Sequence, residues 1–190
     1  MNLLNKIGSA ELKALKKYYK GDLKEAEELL KKNYPIQYLI GFVEFYNCQI
    51  EVNENVLIPR YETEYLVEKS INLLKTKNVK KGIDLCTGSG AIAIALAKNL
   101  KINMDACDIS IKALEVAKKN ALKNKVDINL FKKDILKDKI DGKYDFIISN
   151  PPYIKEWEYT SAETKYEPSI ALYAKDNDLE FYKKILSFSK

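Results

Sequence analysis

The sequence predicts an α/β protein built on a parallel, doubly wound sheet, and three observations carry that prediction. From Val79 onward, short apolar runs alternate with helix-patterned segments, the order of a βαβ fold. The first run, GIDLCTG, passes through glycines straight into the Ala/Ile-rich helix GAIAIALAKNL. The last run, YDFIISN, is continuously apolar, as a strand buried on both faces should be. The length of 190 residues suits one domain with a small appendage, and 46% apolar with 31% charged residues is a globular balance.

Taken in order, residues 1–34 read as two short helices. Ser9 is expected to cap the first, which carries Leu12, Leu15 and Tyr19 on one stripe and stops at Gly21. Asp22 and Glu25, in capping-box spacing, open the second, which continues through Ala26, Leu29 and Leu30. From Pro35 the stretch PIQYLIGFVEFYNCQIEVNENVLIPR is rich in aromatic and β-branched residues. Its alternation at Phe45, Cys48, Ile50 and Val52, with an Asn-Glu-Asn turn before VLIP, predicts a β-hairpin. After Pro59, the acidic start ETE and the stripe Leu66, Val67, Ser70, Ile71, Leu74 give a helix to about Lys77.

The alternating part then runs strand GIDLCTG, its helix, strand NMDACDIS, helix IKALEVAKKNALKN, strand INLFKKD, a turn around Asp141 and Gly142, and strand YDFIISN. Ligands of such sheets sit at the carboxyl ends of the strands. The polar segment from Ile154 to Asn177, with Trp157, Tyr159, Tyr166 and Pro168, reads as a loop with a helical turn. Asp178 is expected to cap a last helix, LEFYKKILSFSK.

Composition excludes whole classes of chemistry. The chain has no His, so imidazole-based triads, HExxH zinc helices and Cys/His metal clusters are ruled out, and no metal site is expected. Cys48, Cys86 and Cys107 are odd in number and lack CxxC spacing, so they are expected to stay reduced. No apolar run approaches a membrane span and the N-terminus lacks a signal-peptide block, which predicts a cytoplasmic chain. The net charge of +5 is spread rather than clustered, so direct nucleic-acid binding is not expected. Of 32 basic residues only Arg60 is Arg, a planar five-donor fork that an ammonium does not replace.

Two motifs carry chemistry. Gly88-Ser89-Gly90-Ala91-Ile92-Ala93 is a G-x-G-x-x-A turn that lets the backbone approach a ligand and aims helix N–H groups at it. Asp108, at the end of the second strand, can accept both ribose hydroxyls. This pair fits a dinucleotide as well as a methyl-donor nucleoside; Ser89 between glycines, with Asp84 and Thr87 beside it, suits the amino-acid end of S-adenosylmethionine somewhat better. The second motif, Asn150-Pro151-Pro152-Tyr153, follows the fourth strand directly. Proline lacks an N–H and has a fixed φ, so the pair makes a stiff loop. An incoming planar –NH2 group could give its two hydrogens to the Asn150 side-chain oxygen and the Pro151 carbonyl, turning its lone pair toward an electrophilic methyl. Tyr153 would pack on the planar group. The proton can leave after transfer, so the reaction needs no strong base and no histidine.

Asp134 and Ile135 follow the third strand, where they either flank an adenine ring or simply end the strand. Arg60, Glu62 and Glu64 form either an interdomain salt-bridge cluster or a wall of the active site.

QYLIG, VLIPRYETEYLVE, DLCTGSGAIAIALAK, ISNPPYI and YEPSIALYAKDNDLEFYKKIL, in this order, resemble the PrmC/HemK family of peptide chain release factor glutamine methyltransferases. NPPY alone is shared with adenine methyltransferases; the IPR-x-ETE stretch narrows the resemblance. It implies a Rossmann-like S-adenosylmethionine-dependent methyltransferase core that methylates the side-chain amide of the glutamine in the Gly-Gly-Gln loop of release factors. The family's cofactor loop falls on Cys86 to Gly90, its ribose acid on Asp108, its adenine-flanking position on Ile135 with Asp134 before it, and its substrate clamp on Asn150 to Tyr153. Asn150 then touches both cofactor and substrate, and Arg60 stands on the substrate side.

Three departures accompany the resemblance. Tyr61 stands where the family has Pro, the N-terminal helical part is shorter, and the family's seven-stranded sheet would lack its last three strands here. The expected organisation is a short N-terminal helical segment (1–34), a β-hairpin and linker helix (35–77) and a methyltransferase domain incomplete at its C-terminus (78–190). A fourth strand left as an apolar edge invites self-association. The alternatives are an adenine-N6 methyltransferase acting on DNA or RNA, or an inactive truncated fragment.

Overall fold

The computed structural model describes residues 8–155, 157–158, 160–174 and 179–188. Apolar spacing on α1 (Ser9–Tyr18) and α2 (Leu23–Lys31) buries Leu15 and Ala26 and leaves their lysines in water. Gly8, not Ser9, is the N-cap of α1, and no side chain caps it. At α2, Asp22 caps as expected, accepting from the Lys24 N–H at 2.9 Å.

PIQYLI forms no strand. It is the short helix α3 (Ile36–Ile40), because Pro35 supplies a pre-set φ at its start and Gly41, at φ 87°, ends it in the left-handed region. These two brackets override the β-propensity of the residues between them. Tyr38, buried on α3, donates its hydroxyl to the Val56 carbonyl at 2.7 Å. The hairpin follows: β1 (Phe42–Phe45) pairs antiparallel with β2 (Cys48–Glu51). Its turn is Tyr46-Asn47, both at positive φ (42° and 61°), the combination that matches the twist of the flanking strands. The Asn-Glu-Asn segment lies beyond the hairpin, where the Asn53 side chain accepts from the Asn55 N–H at 2.9 Å and turns the chain toward Pro59. Helix α4 (Tyr61–Leu74) forms as expected and buries Val67, Ile71 and Leu74 of the predicted stripe, while Leu66 is exposed.

β3 (Lys81–Leu85), α5 (Ala91–Leu100), β4 (Asn103–Asp108), α6 (Ile111–Asn124), β5 (Ile128–Lys132) and β6 (Phe146–Ser149) complete the alternation. The sheet is parallel throughout, in the order β5-β4-β3-β6. Period two divides its side chains. Met104, Ala106, Ile128 and Ile148 join a core with α4, α5 and α6, while Ile83, Leu85 and Cys107 meet Phe181 and Ile185 of α8 (Glu180–Ser187). Phe45 and Ile50 belong to the first of these cores, so the hairpin shares a hydrophobic interior with the sheet. The strand order reverses between β3 and β6, which opens a crevice at their carboxyl ends.

The segment after the fourth sheet strand folds back over that crevice. It holds a 3-10 turn (Thr164–Tyr166) and helix α7 (Ser169–Leu172), and an isolated parallel bridge joins Ile154 to Tyr173. Tyr159 and the expected cap Asp178 lie outside the described residues. Among the described residues no helix is long and apolar enough to cross a membrane.

Candidate active site

The glycine loop begins where β3 leaves the sheet. Cys86 turns into the left-handed region (φ 59°), a conformation that costs a non-glycine residue roughly 1 kcal/mol. Burial pushes its thiol pKa well up, so it stays protonated. The Gly90 N–H then closes the turn on the Thr87 carbonyl at 2.9 Å. Gly90, at φ 81°, is the N-cap of α5, and a Cβ there would stand 3.0 Å from the Ala117 Cβ of α6. Gly88 has nothing within 4 Å of the place a Cβ would take, so its backbone lies open to the adjoining cavity.

That cavity, about 620 Å³, is lined among others by Thr87, Gly88, Ser89, Asp108, Asp134 and Ile135. Cys86, Arg60, Asn150 and Pro152 also reach it. At the end of β4, Asp108 accepts the Gly88 N–H on Oδ2 at 2.8 Å and the Ser110 N–H on Oδ1 at 2.9 Å, leaving lone pairs on both oxygens. Burial raises its pKa against the pull of these N–H groups. Asp134 accepts the Leu136 N–H at 3.1 Å, which fixes the turn that presents Ile135. Asp84 is placed differently: it is fully buried and does not line the cavity. Its Oδ2 accepts the Thr87 hydroxyl at 2.6 Å, and its Oδ1 has no hydrogen-bond partner among the described residues. Burial pushes its carboxyl pKa up to about 7.

A second cavity of about 310 Å³ lies beside the first, lined in part by Pro151, Tyr153, Ile154, Thr160 and Thr164. Leu57, Arg60, Asn150 and Ala171 border both, so these four form the partition. Asn150 is held there by its Nδ2, which donates to Thr63 Oγ1 at 3.1 Å and leaves Oδ1 as the free end of the amide. The strand end beneath it is pinned by the Ser149 hydroxyl, which donates to the Leu85 carbonyl at 2.6 Å.

Arg60 borders both cavities, and neither Glu62 nor Glu64 is its partner. Glu62 is exposed, and Glu64 accepts the Tyr46 N–H at 2.8 Å. Arg60 instead pairs with Glu167, whose side chain is 1% exposed and also accepts the Ile58 N–H at 3.1 Å. Of the two alternatives, Arg60 alone stands in the cavity wall, and in place of an ion pair with Glu62 or Glu64 it ties the IPR segment to the YEP segment. Three residues of the site escaped the sequence reading: Glu167, Thr63 and Asn120, which reaches the Ser89 carbonyl. Glu167 lies in the YEPSIALY stretch, and no spacing links it to Arg60.

Comparison with known proteins places this geometry. The methyltransferase small domain family matches residues 63–165. The chain is 46% identical over 166 residues to a release factor glutamine methyltransferase of Flavobacterium psychrophilum, covering 82% of this chain and 58% of that relative. It is 42% identical over 190 residues to the release factor glutamine methyltransferase of Lactococcus lactis, covering 97% of this chain and 67% of that relative. Among solved structures, the Pyrococcus abyssi tRNA (uracil-54, C5)-methyltransferase in complex with S-adenosyl-L-homocysteine superposes with a TM-score of 0.50 at 25% identity, over 59% of this chain and 28% of that one. The chain spans 58% and 67% of the two relatives' lengths. With the glycine turn, the β4 acid and the NPPY loop at the carboxyl ends of neighbouring strands, and this degree of identity along nearly all its length, the chain belongs to the release factor glutamine methyltransferase family.

Proposed function

We propose that this chain transfers a methyl group from S-adenosylmethionine to the side-chain amide nitrogen of the glutamine in the Gly-Gly-Gln motif of peptide chain release factors. The observation that carries the reading is the position of Asn150 in the partition between the two cavities, its amide anchored on one side by Thr63.

The larger cavity fits the cofactor. Gly88 leaves room for close approach, Asp108 keeps a lone pair on each oxygen for two ribose hydroxyls, and Ile135 offers an apolar edge for an adenine. When bound, S-adenosylmethionine supplies an electrophilic methyl group. The smaller cavity receives the amide, with Tyr153 against its plane. An amide nitrogen is a poor nucleophile because its lone pair is delocalised. The Asn150 Oδ1 and the Pro151 carbonyl accept its two hydrogens and hold them so that the lone pair faces the methyl. The amide nitrogen would take the methyl as the methyl–sulfur bond breaks with its electron pair going to sulfur, and would lose one hydrogen to water as a proton, so no strong base is needed. The Arg60 fork, tied back by Glu167, keeps the partition in place. This activity places the chain in the cytoplasm, where release factors work.

The test is incubation with radiolabelled S-adenosylmethionine and either a release factor or its Gln-to-Ala loop variant. Label on the first protein alone is expected. Label on both, on neither, or only on an added oligonucleotide overturns the reading.

A further inference from the structure

We infer that Asn120 sets the shape of the glycine loop by tying it to the β-hairpin through one buried amide; the consequence for ligand affinity rests on reading that loop as the cofactor cradle. Strand β2 is paired with β1 on one edge, and its other edge faces α6. There, Gln49 and Glu51 meet Asn124 and Asn120, which stand one helical turn apart. Asn124 accepts the Gln49 N–H at 3.2 Å and donates to the Gln49 carbonyl at 2.8 Å. Asn120 accepts the Glu51 N–H at 2.7 Å and donates to the Glu51 carbonyl at 3.0 Å. A side-chain amide carries the same donor and acceptor as a peptide group, so two asparagines on a helix stand in for a third strand.

The two asparagines then differ. The remaining hydrogen of Asn124 goes to the Asn120 carbonyl at 2.9 Å, within its own helix. The remaining hydrogen of Asn120 goes to the Ser89 carbonyl at 2.9 Å, in the glycine loop. Asn120 is fully buried, with both amide hydrogens donated and its oxygen accepting. The Ser89–Gly90 peptide is therefore held at both ends: its carbonyl by Asn120, its N–H by the Thr87 carbonyl. Glycine at position 90 leaves that peptide plane free to rotate, since either sign of φ is accessible to it. A rotation breaks both bonds at once. Asn120 thus selects one loop shape among those glycine permits, and couples it to the seating of the hairpin. It is a positioning residue, touching no ligand itself.

Asn124 supplies the matched control, with the same hairpin link and no loop link. Backbone hydrogen exchange on the free chain is the first readout. Asn120→Ala should speed exchange at the Gly88 and Gly90 amides about tenfold, whereas Asn124→Ala should speed exchange at Gln49 and leave the loop within about twofold of wild type. Equal acceleration of the loop by both variants, or none by Asn120→Ala, overturns the inference. The dissociation constant for S-adenosylmethionine is the second readout: about tenfold weaker in Asn120→Ala and within about twofold in Asn124→Ala. A loss of affinity that merely follows the loss of melting temperature in both variants counts against it. Should Asn120→Ala not fold, Asn120→Asp has the same size and keeps the acceptor for the Glu51 N–H while removing the donors to both the Ser89 and Glu51 carbonyls; Asn124→Asp, which removes the donors to the Gln49 and Asn120 carbonyls, is its control. If the wild type binds no S-adenosylmethionine, the functional reading falls while the exchange data still decide the role of Asn120.

Discussion

The glycine-loop wall of the larger cavity and the partition that it shares with the smaller are assembled in opposite ways. The wall is local: its loop runs from Cys86 to Gly90, and Asp108, Asp134 and Ile135 stand at the ends of the next two strands. The partition is gathered from distant segments. Asn150 and its anchor Thr63 are 87 residues apart, and Arg60 and Glu167 are 107 apart. A local site is shaped by backbone geometry that a short motif encodes. A gathered site depends on polar side chains whose partners are chosen only by the completed fold.

The comparison breaks first at Asn150. Asn150→Ala is expected to cut methyl transfer about 10²–10³-fold, the loss typical of one aimed acceptor, while leaving the S-adenosylmethionine dissociation constant within about twofold. Asp108→Ala should do the reverse, weakening binding about 10–100-fold in titration calorimetry. If Asn150→Ala releases the cofactor as well, the two cavities do not act as separate halves.

Glu167 tests how firmly the gathered side is held. Glu167→Ala leaves the Arg60 guanidinium and the Ile58 N–H without their acceptor, at a cost of about 2–4 kcal/mol; Arg60 is 37% exposed, so water softens this toward the lower figure. Glu167→Gln, which keeps an acceptor and loses the charge, should fall between. Urea denaturation measures both, and a loss below about 1 kcal/mol in the Ala variant would show that the YEP segment is held by other contacts.

A pH-dependent signal sharpens the local side. The folded-state pKa of Asp84 is raised from 3.8 to about 7, so between these values the folded chain binds more protons than the unfolded one. Stability from this group is present below pH 4 and is lost as pH rises through about 7, with a slope of at most about 1.4 kcal/mol per pH unit. The melting temperature of wild type relative to Asp84→Asn should therefore fall across that window and level off above it. A flat difference would show that Asp84 titrates as an ordinary surface carboxylate.

Legibility in the sequence followed the same division. β3 to β6 and their helices could be read because short apolar runs alternating with helix-patterned segments, and glycine punctuation, are local signals. α3 gives no helical signal of its own, because Pro35 and Gly41 outweigh the propensities of the five residues between them. The hairpin turn at Tyr46-Asn47 was missed because it lacks the glycine that usually marks such turns. The cavity residues Cys86 to Gly90, Asp108 and Asn150 to Tyr153 were legible from motif and strand position. Glu167 was not: its burial and its partner are tertiary facts, and Glu62 and Glu64 lay nearer to Arg60 in sequence.

A two-stranded hairpin with four-residue strands is at best marginal in water. This one borrows its third partner from residues 69 and 75 positions away. Closing so long a loop costs entropy before any contact forms, and Asn120 and Asn124 come into register only after α6 has become helical. The hairpin therefore has no third partner until α6 is helical, and Phe45 and Ile50 tie it into the interior it shares with the sheet, so hairpin and helix stabilise each other.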